Sequence, residues 1–336
     1  MFYRLLTDIF DMGSELYQMR MKAAVTSPMP DLSKVEYGHL VTPQEKADSE
    51  LFYAPVEETP DIKFKPVIKL PFIEIHDGSF RSPMVTPFEE NNTVYVTHFR
   101  LPQNGIGGPT VVMIHGWKMD DYTYFDWWCW RFAAWGLNSI LVNMPYHIKR
   151  TPKGTFSGQL LLTDDTMWNL ATLKQSYVDV HCVVNWLRAN GAGPIGTFGV
   201  SYGGFMAGLY VCRARNADFA IMGMPPMDTI EVLKSTEIGE MWMKREAEGK
   251  MSMLTDPDVP KIYNLNETRP LAPLSNIFIA MGIYDKLVDP DSIRDTAREW
   301  GGLPWLREYP TGHINTFALN LAFINDAHKF IQKEVL

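Results

Sequence analysis

From about residue 110 onward, short unbroken apolar runs alternate with longer amphipathic stretches. Residues 110–114, 139–144, 193–200, 219–224, 277–282 and 305–309 are strand-length, apolar and bounded by Gly, Pro or Asn, as strands covered on both faces are. Between them, residues 122–135, 166–189, 205–214 and 291–300 space their apolar positions for helices, and residues 314–333 read as a C-terminal helix. Asp164 and Asp165 are capping candidates for the longest helix, with Asn190-Gly191 as its stop. Upstream, residues 67–75 and 94–101 suggest two strands, with Asp77-Gly78-Ser79 as a turn between them, and residues 104–108 suggest a hairpin turn. The alternation predicts an α/β fold: a mostly parallel, doubly wound sheet of about eight strands with helices on both faces.

Two stretches depart from that rhythm. Residues 26–71 are rich in Pro, Glu, Asp and Ser and read as an irregular surface extension. Residues 228–269 are helix-rich and Met-rich without strand alternation. The expected organisation is an N-terminal helix and extension over 1–66, one α/β domain over 67–336, and a helical cap insertion at 227–269 within it. Residues 2–19 put Phe2, Leu5, Leu6, Ile9, Phe10, Leu16 and Met19 roughly on one helical face. That face would pack on the domain or on a second copy of the chain, or lie at a lipid surface. Arg4, Asp8, Asp11 and Glu15 interrupt the apolar core that a signal peptide requires.

Composition narrows the partners. Among 336 residues the apolar fraction is 46% and the charged fraction 21%, enough to bury a large core. A net charge of -8 without a basic cluster argues against nucleic acid. No apolar run is long enough to span a membrane. Three cysteines, Cys129, Cys182 and Cys212, sit in apolar runs without metal-ligand spacing, as buried thiols of a reducing, cytoplasmic setting do. Neither a metal nor another cofactor is expected.

The chemistry concentrates at strand ends. Gly199-Val200-Ser201-Tyr202-Gly203 puts a serine between a strand and a helix, where a sharp turn would expose its hydroxyl. An activated serine needs a base, and the base needs an orienting acid. His313 follows the last strand, at the same sheet edge as Ser201. His181 and His328 fall within helices and read as packing or surface residues. Asp285 follows the strand over 277–282 and is the favoured acid, whereas Asp289-Pro290 reads as a helix start. Backbone N–H groups of Trp117 and Tyr202 are the expected donors to a developing oxyanion. His115 and His147 are candidates to line the substrate site, with hydrogen bonding of its own loop as the simpler role for His115.

Together His115-Gly116-Trp117, the Ser201 frame, Asp285 and Gly312-His313 resemble the α/β-hydrolase superfamily in kind and order. More narrowly, residues 77–84, Ser201-Tyr202-Gly203-Gly204-Phe205-Met206-Ala207 and Gly312-His313-Ile314-Asn315 look like the eighteenth branch of the α/β-hydrolase-domain-containing proteins. The resemblance implies an eight-stranded sheet and serine-hydrolase chemistry on a small-molecule ester, and the aromatic helix over 122–135 with the Met-rich insertion at 227–269 points to an apolar, lipid-like acyl group. A peptidase or amidase of the oligopeptidase-like branch, or a binding protein that kept only the fold, are the alternatives. A homo-oligomer is compatible with all three.

Overall fold

The computed structural model describes residues 30–235, 237–249, 252–313 and 320–336. The N-terminal helix expected over residues 2–19 and the first part, 314–319, of the C-terminal helix expected over 314–333 lie outside them. Nine strands form one sheet: β1 (Lys63–Leu70), β2 (Ile73–Arg81), β3 (Thr93–Arg100), β4 (Thr110–Ile114), β5 (Asn138–Val142), β6 (Ile195–Val200), β7 (Phe219–Gly223), β8 (Ile277–Gly282) and β9 (Trp305–Tyr309). Their order is β1-β2-β3-β5-β4-β6-β7-β8-β9. The first three strands pair antiparallel with each other, and β3 pairs antiparallel with β5. From β5 to β9 every pairing is parallel.

The ninth strand is β1, and it corrects the reading of the upstream region. Asp77-Gly78-Ser79 is no turn: it lies inside β2, where Gly78 pairs with both Phe64 and Val96. Glycine is there because a Cβ would fall 2.7 Å from the Phe64 ring. The real turn is at Pro71-Phe72. Pro66 breaks the register of β1, as proline does when confined to an edge strand. Residues 104–108 do turn, but they join β3 to β4, which are not sheet neighbours, so no hairpin forms there. The extension is less irregular than expected, with short helices α1 (Pro43–Ala47) and α2 (Ser49–Phe52) before β1.

The central strands are apolar on both sides because both sides are covered. Val112, Ile114, Ile140, Met222 and Ile279 face one layer, with α4 (Thr166–Ala189), α5 (Tyr202–Arg213) and Ile293 of α9 (Pro290–Glu299). Val111, Met113, Phe198, Ile221 and Phe278 face α3 (Thr123–Ala134) and α10 (Leu321–Phe330). The aromatic helix α3 is core: the Trp128 ring lies 4.9 Å from that of Phe198 and 5.2 Å from that of Phe323.

Helix α4 is buried on nearly every side. Asp165 caps its start by accepting from Trp168 N–H at 3.0 Å, while Asp164 pairs with Arg245 at 2.6 Å. Its outer surface lies under the extension, where Tyr177 Oη donates to Tyr53 O at 3.3 Å and Asn185 Nδ2 to Val56 O at 2.7 Å. Residues 227–269 contribute α6 (Thr229–Lys234), α7 (Glu237–Ala247) and α8 (Val259–Tyr263). Met227, Ile230, Val259, Ile262 and Tyr263 join the same core as α4 and α5. Tyr263 Oη donates to Asn169 O at 2.6 Å, which fastens α8 to α4.

Candidate active site

In a parallel sheet the loops leaving the carboxyl ends of the strands share one edge, where ligands bind in such folds. Every non-glycine residue with positive φ among the described residues is on this edge: Lys118, Tyr146, Ile148, Ser201 and Met224. They follow β4, β5, β6 and β7 in turn. Strained backbone held in place by its surroundings gathers where function needs a fixed geometry.

Ser201 is at φ 57 and ψ -122, directly between β6 and α5. Its N–H donates to Gly223 O of the neighbouring strand at 2.8 Å, and its carbonyl accepts from Phe205 N–H at 2.9 Å. The flanking glycines are required by close backbone approach. A Cβ on Gly199 would lie 2.1 Å from Gly203 O, and one on Gly203 would lie 2.1 Å from Ile114 O. The serine is half-buried. Tyr202 opens α5, so its N–H belongs to the first-turn donors that a helix cannot satisfy internally. Its phenol points inward, donating to Ser176 Oγ at 3.1 Å.

His313 and Asp285 meet directly, Nδ1 to Oδ2 at 2.6 Å. The carboxylate is almost wholly buried, and its other oxygen accepts from Leu287 N–H at 2.9 Å and Val288 N–H at 3.0 Å. Such a carboxylate is oriented by backbone before it meets the imidazole. Asp289 does something else: it caps α9 by accepting from Asp291 N–H at 2.9 Å. The two loops are also stitched together by Ile283 N–H to Tyr309 O at 2.9 Å and Tyr284 N–H to Thr311 O at 3.1 Å. His313 Nε2 is buried and makes no hydrogen bond among the described residues. A cleft of about 680 Å³ adjoins Asp285, between α6 and α9.

The loop after β4 runs beside the serine turn, since a Cβ on Gly116 would lie 3.5 Å from Val200 O. Trp117 anchors its indole N–H on Gly158 O at 2.8 Å. His115 and His147, the two candidates for lining the site, are instead fully buried. His115 accepts from Met144 N–H at 3.1 Å, and His147 accepts from Lys118 N–H at 3.0 Å. Both rings hold loops, which is the simpler role named for His115, and neither ring is exposed. Burial keeps them neutral, with His115 pushed down to about 4 and His147 well below the ordinary histidine value. Lys118 is drawn down to about 8 by its desolvation, with its ammonium 4.6 Å from the Trp117 ring.

The two mid-helix histidines and the cysteines have structural surroundings. His181 is buried beside Tyr210, and His328 stacks on Trp135 at 5.0 Å. Cys129, Cys182 and Cys212 are free and buried. Among the described residues no cluster of His, Cys, Asp and Glu could hold a metal ion, and no helix is long and apolar enough to cross a membrane.

A mostly parallel sheet covered by helices, with a serine on a strained strand-to-helix turn, is the fold of the α/β-hydrolase superfamily, and this chain is a member, with nine strands where eight were expected. More narrowly, it belongs to the family described as alpha/beta hydrolase domain containing 18, whose model matches residues 44–224. It is similar to two uncharacterized proteins of Mycobacterium tuberculosis, strains CDC 1551 and H37Rv, each 26% identical over 247 residues. That match covers 72% of this chain but only 58% of theirs.

Solved structures share the fold at low identity. An acetyl xylan esterase from Paenibacillus sp. R4 matches with a TM-score of 0.61 at 14% identity, over 94% of this chain and 99% of its own. Acetyl xylan esterase 1 from Thermoanaerobacterium sp. JW/SL YS485 matches at 0.60 and 14%, over 92% and 95%. A cold-adapted esterase from an Arctic intertidal metagenomic library matches at 0.54 and 15%, over 82% and 100%.

Proposed function

We propose that the protein is a serine hydrolase that cleaves a small carboxylic ester through an acyl-enzyme. The observation that carries this reading is the His313–Asp285 bond of 2.6 Å, with His313 Nε2 buried and uncommitted at the sheet edge that bears Ser201. His313 Nδ1 donates to a carboxylate that only accepts, so Nε2 carries the lone pair. That nitrogen takes the Ser201 hydroxyl proton as Oγ attacks the ester carbonyl. The N–H groups of Trp117 and Tyr202 receive the oxyanion. His313 then gives its proton to the leaving alcohol, and water attacks the acyl-enzyme by the same route in reverse. Asp285 holds the ring in this tautomer and stabilises its cation.

The esterase neighbours favour an ester over a peptide as substrate. Residues 227–269 stay in place in this reading, because Met227, Ile230, Val259, Ile262 and Tyr263 belong to the main core. The test is hydrolysis of a p-nitrophenyl ester series and of matching peptide anilides, together with labelling by a fluorophosphonate. Wild type should label at Ser201 and prefer the esters. Ser201→Ala and His313→Ala should each keep the fold and lose roughly 10⁴-fold or more in kcat. Retained turnover in either variant overturns the reading.

A further inference from the structure

The loops after β4 and β5 hold each other through a pair of histidines. His115, on the first loop, accepts the N–H of Met144 just past β5. His147, on the second, accepts the N–H of Lys118. Each ring has its Nδ1 against a backbone carbonyl, Gly116 O at 2.9 Å for His115 and Pro145 O at 2.7 Å for His147. A carbonyl can only accept and an amide N–H can only donate, so both rings are fixed as the neutral Nδ1–H tautomer. The two rings meet edge to face at 4.8 Å and are wholly excluded from solvent.

We propose that His147 is a positioning residue for the oxyanion loop, an assignment that rests on the hydrolase reading above. Its Nε2 holds the N–H of the Trp117–Lys118 peptide, at a point where Lys118 adopts φ 60. On the other side, the Trp117 indole is tied to Gly158 O at 2.8 Å. With side chain and following peptide both fixed, the Gly116–Trp117 peptide, which bears the oxyanion donor, has little freedom to turn. Gly158 is part of the same clamp. It stands at φ 80, its N–H donates to Tyr146 O at 2.8 Å, and a Cβ on it would fall 2.5 Å from His147 Nε2 and 3.0 Å from Lys118 N. The clamp loop is itself held from below by Arg150, which donates to Asn143 O at 2.9 Å and pairs with Asp179 at 2.8 Å, all fully buried.

The substitutions that separate positioning from mere packing are His147→Gln, His147→Asn and His147→Ala. Glutamine reaches with an acceptor to where Nε2 sits, whereas asparagine stops at the Nδ1 position. With p-nitrophenyl butyrate as substrate, His147→Ala and His147→Asn should lower kcat about 10–100-fold with KM within about threefold, less than the roughly 10²–10³-fold cost of deleting an oxyanion donor because the donor is loosened and not removed. His147→Gln should recover most of that kcat. Gly158→Ala attacks the contact from the opposite side and should reproduce the kcat loss, so the outcome does not depend on His147→Ala folding. Wild-type kcat in the Ala or Asn variant, a Gln variant no better than Asn, or a loss confined to KM would each overturn the proposal. Two controls keep its failure apart from failure of the hydrolase reading. Equal turnover by wild type and Ser201→Ala would refute that reading. The ¹⁵N shifts of His147 in the wild-type protein report its tautomer irrespective of activity, and an Nε2–H form would refute the clamp itself.

Discussion

Replacing His98 by phenylalanine should make the protein's stability less sensitive to acid, by an amount that the structure defines. His98 lies within β3, buried against the rings of Phe64 and Trp186 at 5.7 Å and 6.0 Å, and its Nε2 makes no hydrogen bond among the described residues. Desolvation pushes its pKa down to about 3, with the nearby Arg100 charge adding to the effect. In the unfolded chain the same group titrates near 6.5. The unfolded state therefore takes up a proton first as the pH falls. The stabilising difference is fully present above about pH 6.5 and is lost progressively as the pH drops toward the native value. Between about pH 7.5 and pH 4.5 the loss is about 2.7 kcal/mol, from two pH units at about 1.36 kcal/mol each. The figure hardly depends on the native pKa, because pH 4.5 is still above it. Phenylalanine keeps an aromatic ring between the same neighbours and removes the proton site. Any packing cost it brings is equal at both pH values and cancels in the comparison. Urea unfolding of both proteins at the two pH values measures the difference. A wild-type-to-variant gap that stays constant within about 0.5 kcal/mol would show that His98 is not held neutral by its burial.

The other predictions concern the site and its supports. Asp285→Asn should lower kcat about 10⁴-fold, while Asp289→Asn, which leaves a good helix cap, should stay within about threefold of wild type; steady-state kinetics that reverse the two would exchange their roles. Gly203→Ala brings a Cβ to 2.1 Å from Ile114 O, so the urea midpoint should drop by the equivalent of about 1–3 kcal/mol. Arg150→Met strands the Asp179 carboxylate in the core and should cost about 3–5 kcal/mol. Adding Asp179→Leu to that variant should recover part of the loss, and a double variant no better than the single one would mean that the charge is not what matters.

How far the sequence revealed all this varied with the physical cause. Strands β4, β8 and β9 and helix α4 have the boundaries their apolar runs suggest, because Pro, Gly and Asn end those runs abruptly. Of the serine turn's glycines, Gly203 meets Ile114 O on a strand distant in sequence, but the turn was legible through Gly199, which answers a local demand, the approach of its backbone to that of Gly203. Gly78 misled for the opposite reason. Its glycine makes room for the Phe64 ring on a neighbouring strand, and nothing in the adjacent sequence announces that. The role of His147 was equally hidden. Its partner is 29 residues upstream, and Gly158 lies 41 residues from the indole it receives. No periodicity connects such positions. A buried histidine accepting from a backbone amide has the same one-dimensional signature as one that faces a substrate.

The outermost strand has a consequence for how the molecule lives among copies of itself. A sheet ends in a row of unpaired amides and carbonyls, which invites another chain to continue it. Strand β1 stands at that margin with Val67, Ile68 and Leu70 exposed, yet it also carries Lys63, Lys65 and Lys69, and Pro66 at its irregularity. A second β1 laid alongside would bring ammonium groups together and would meet proline where a donor is needed. That edge of the sheet is thus closed to growth by repulsion and a missing hydrogen.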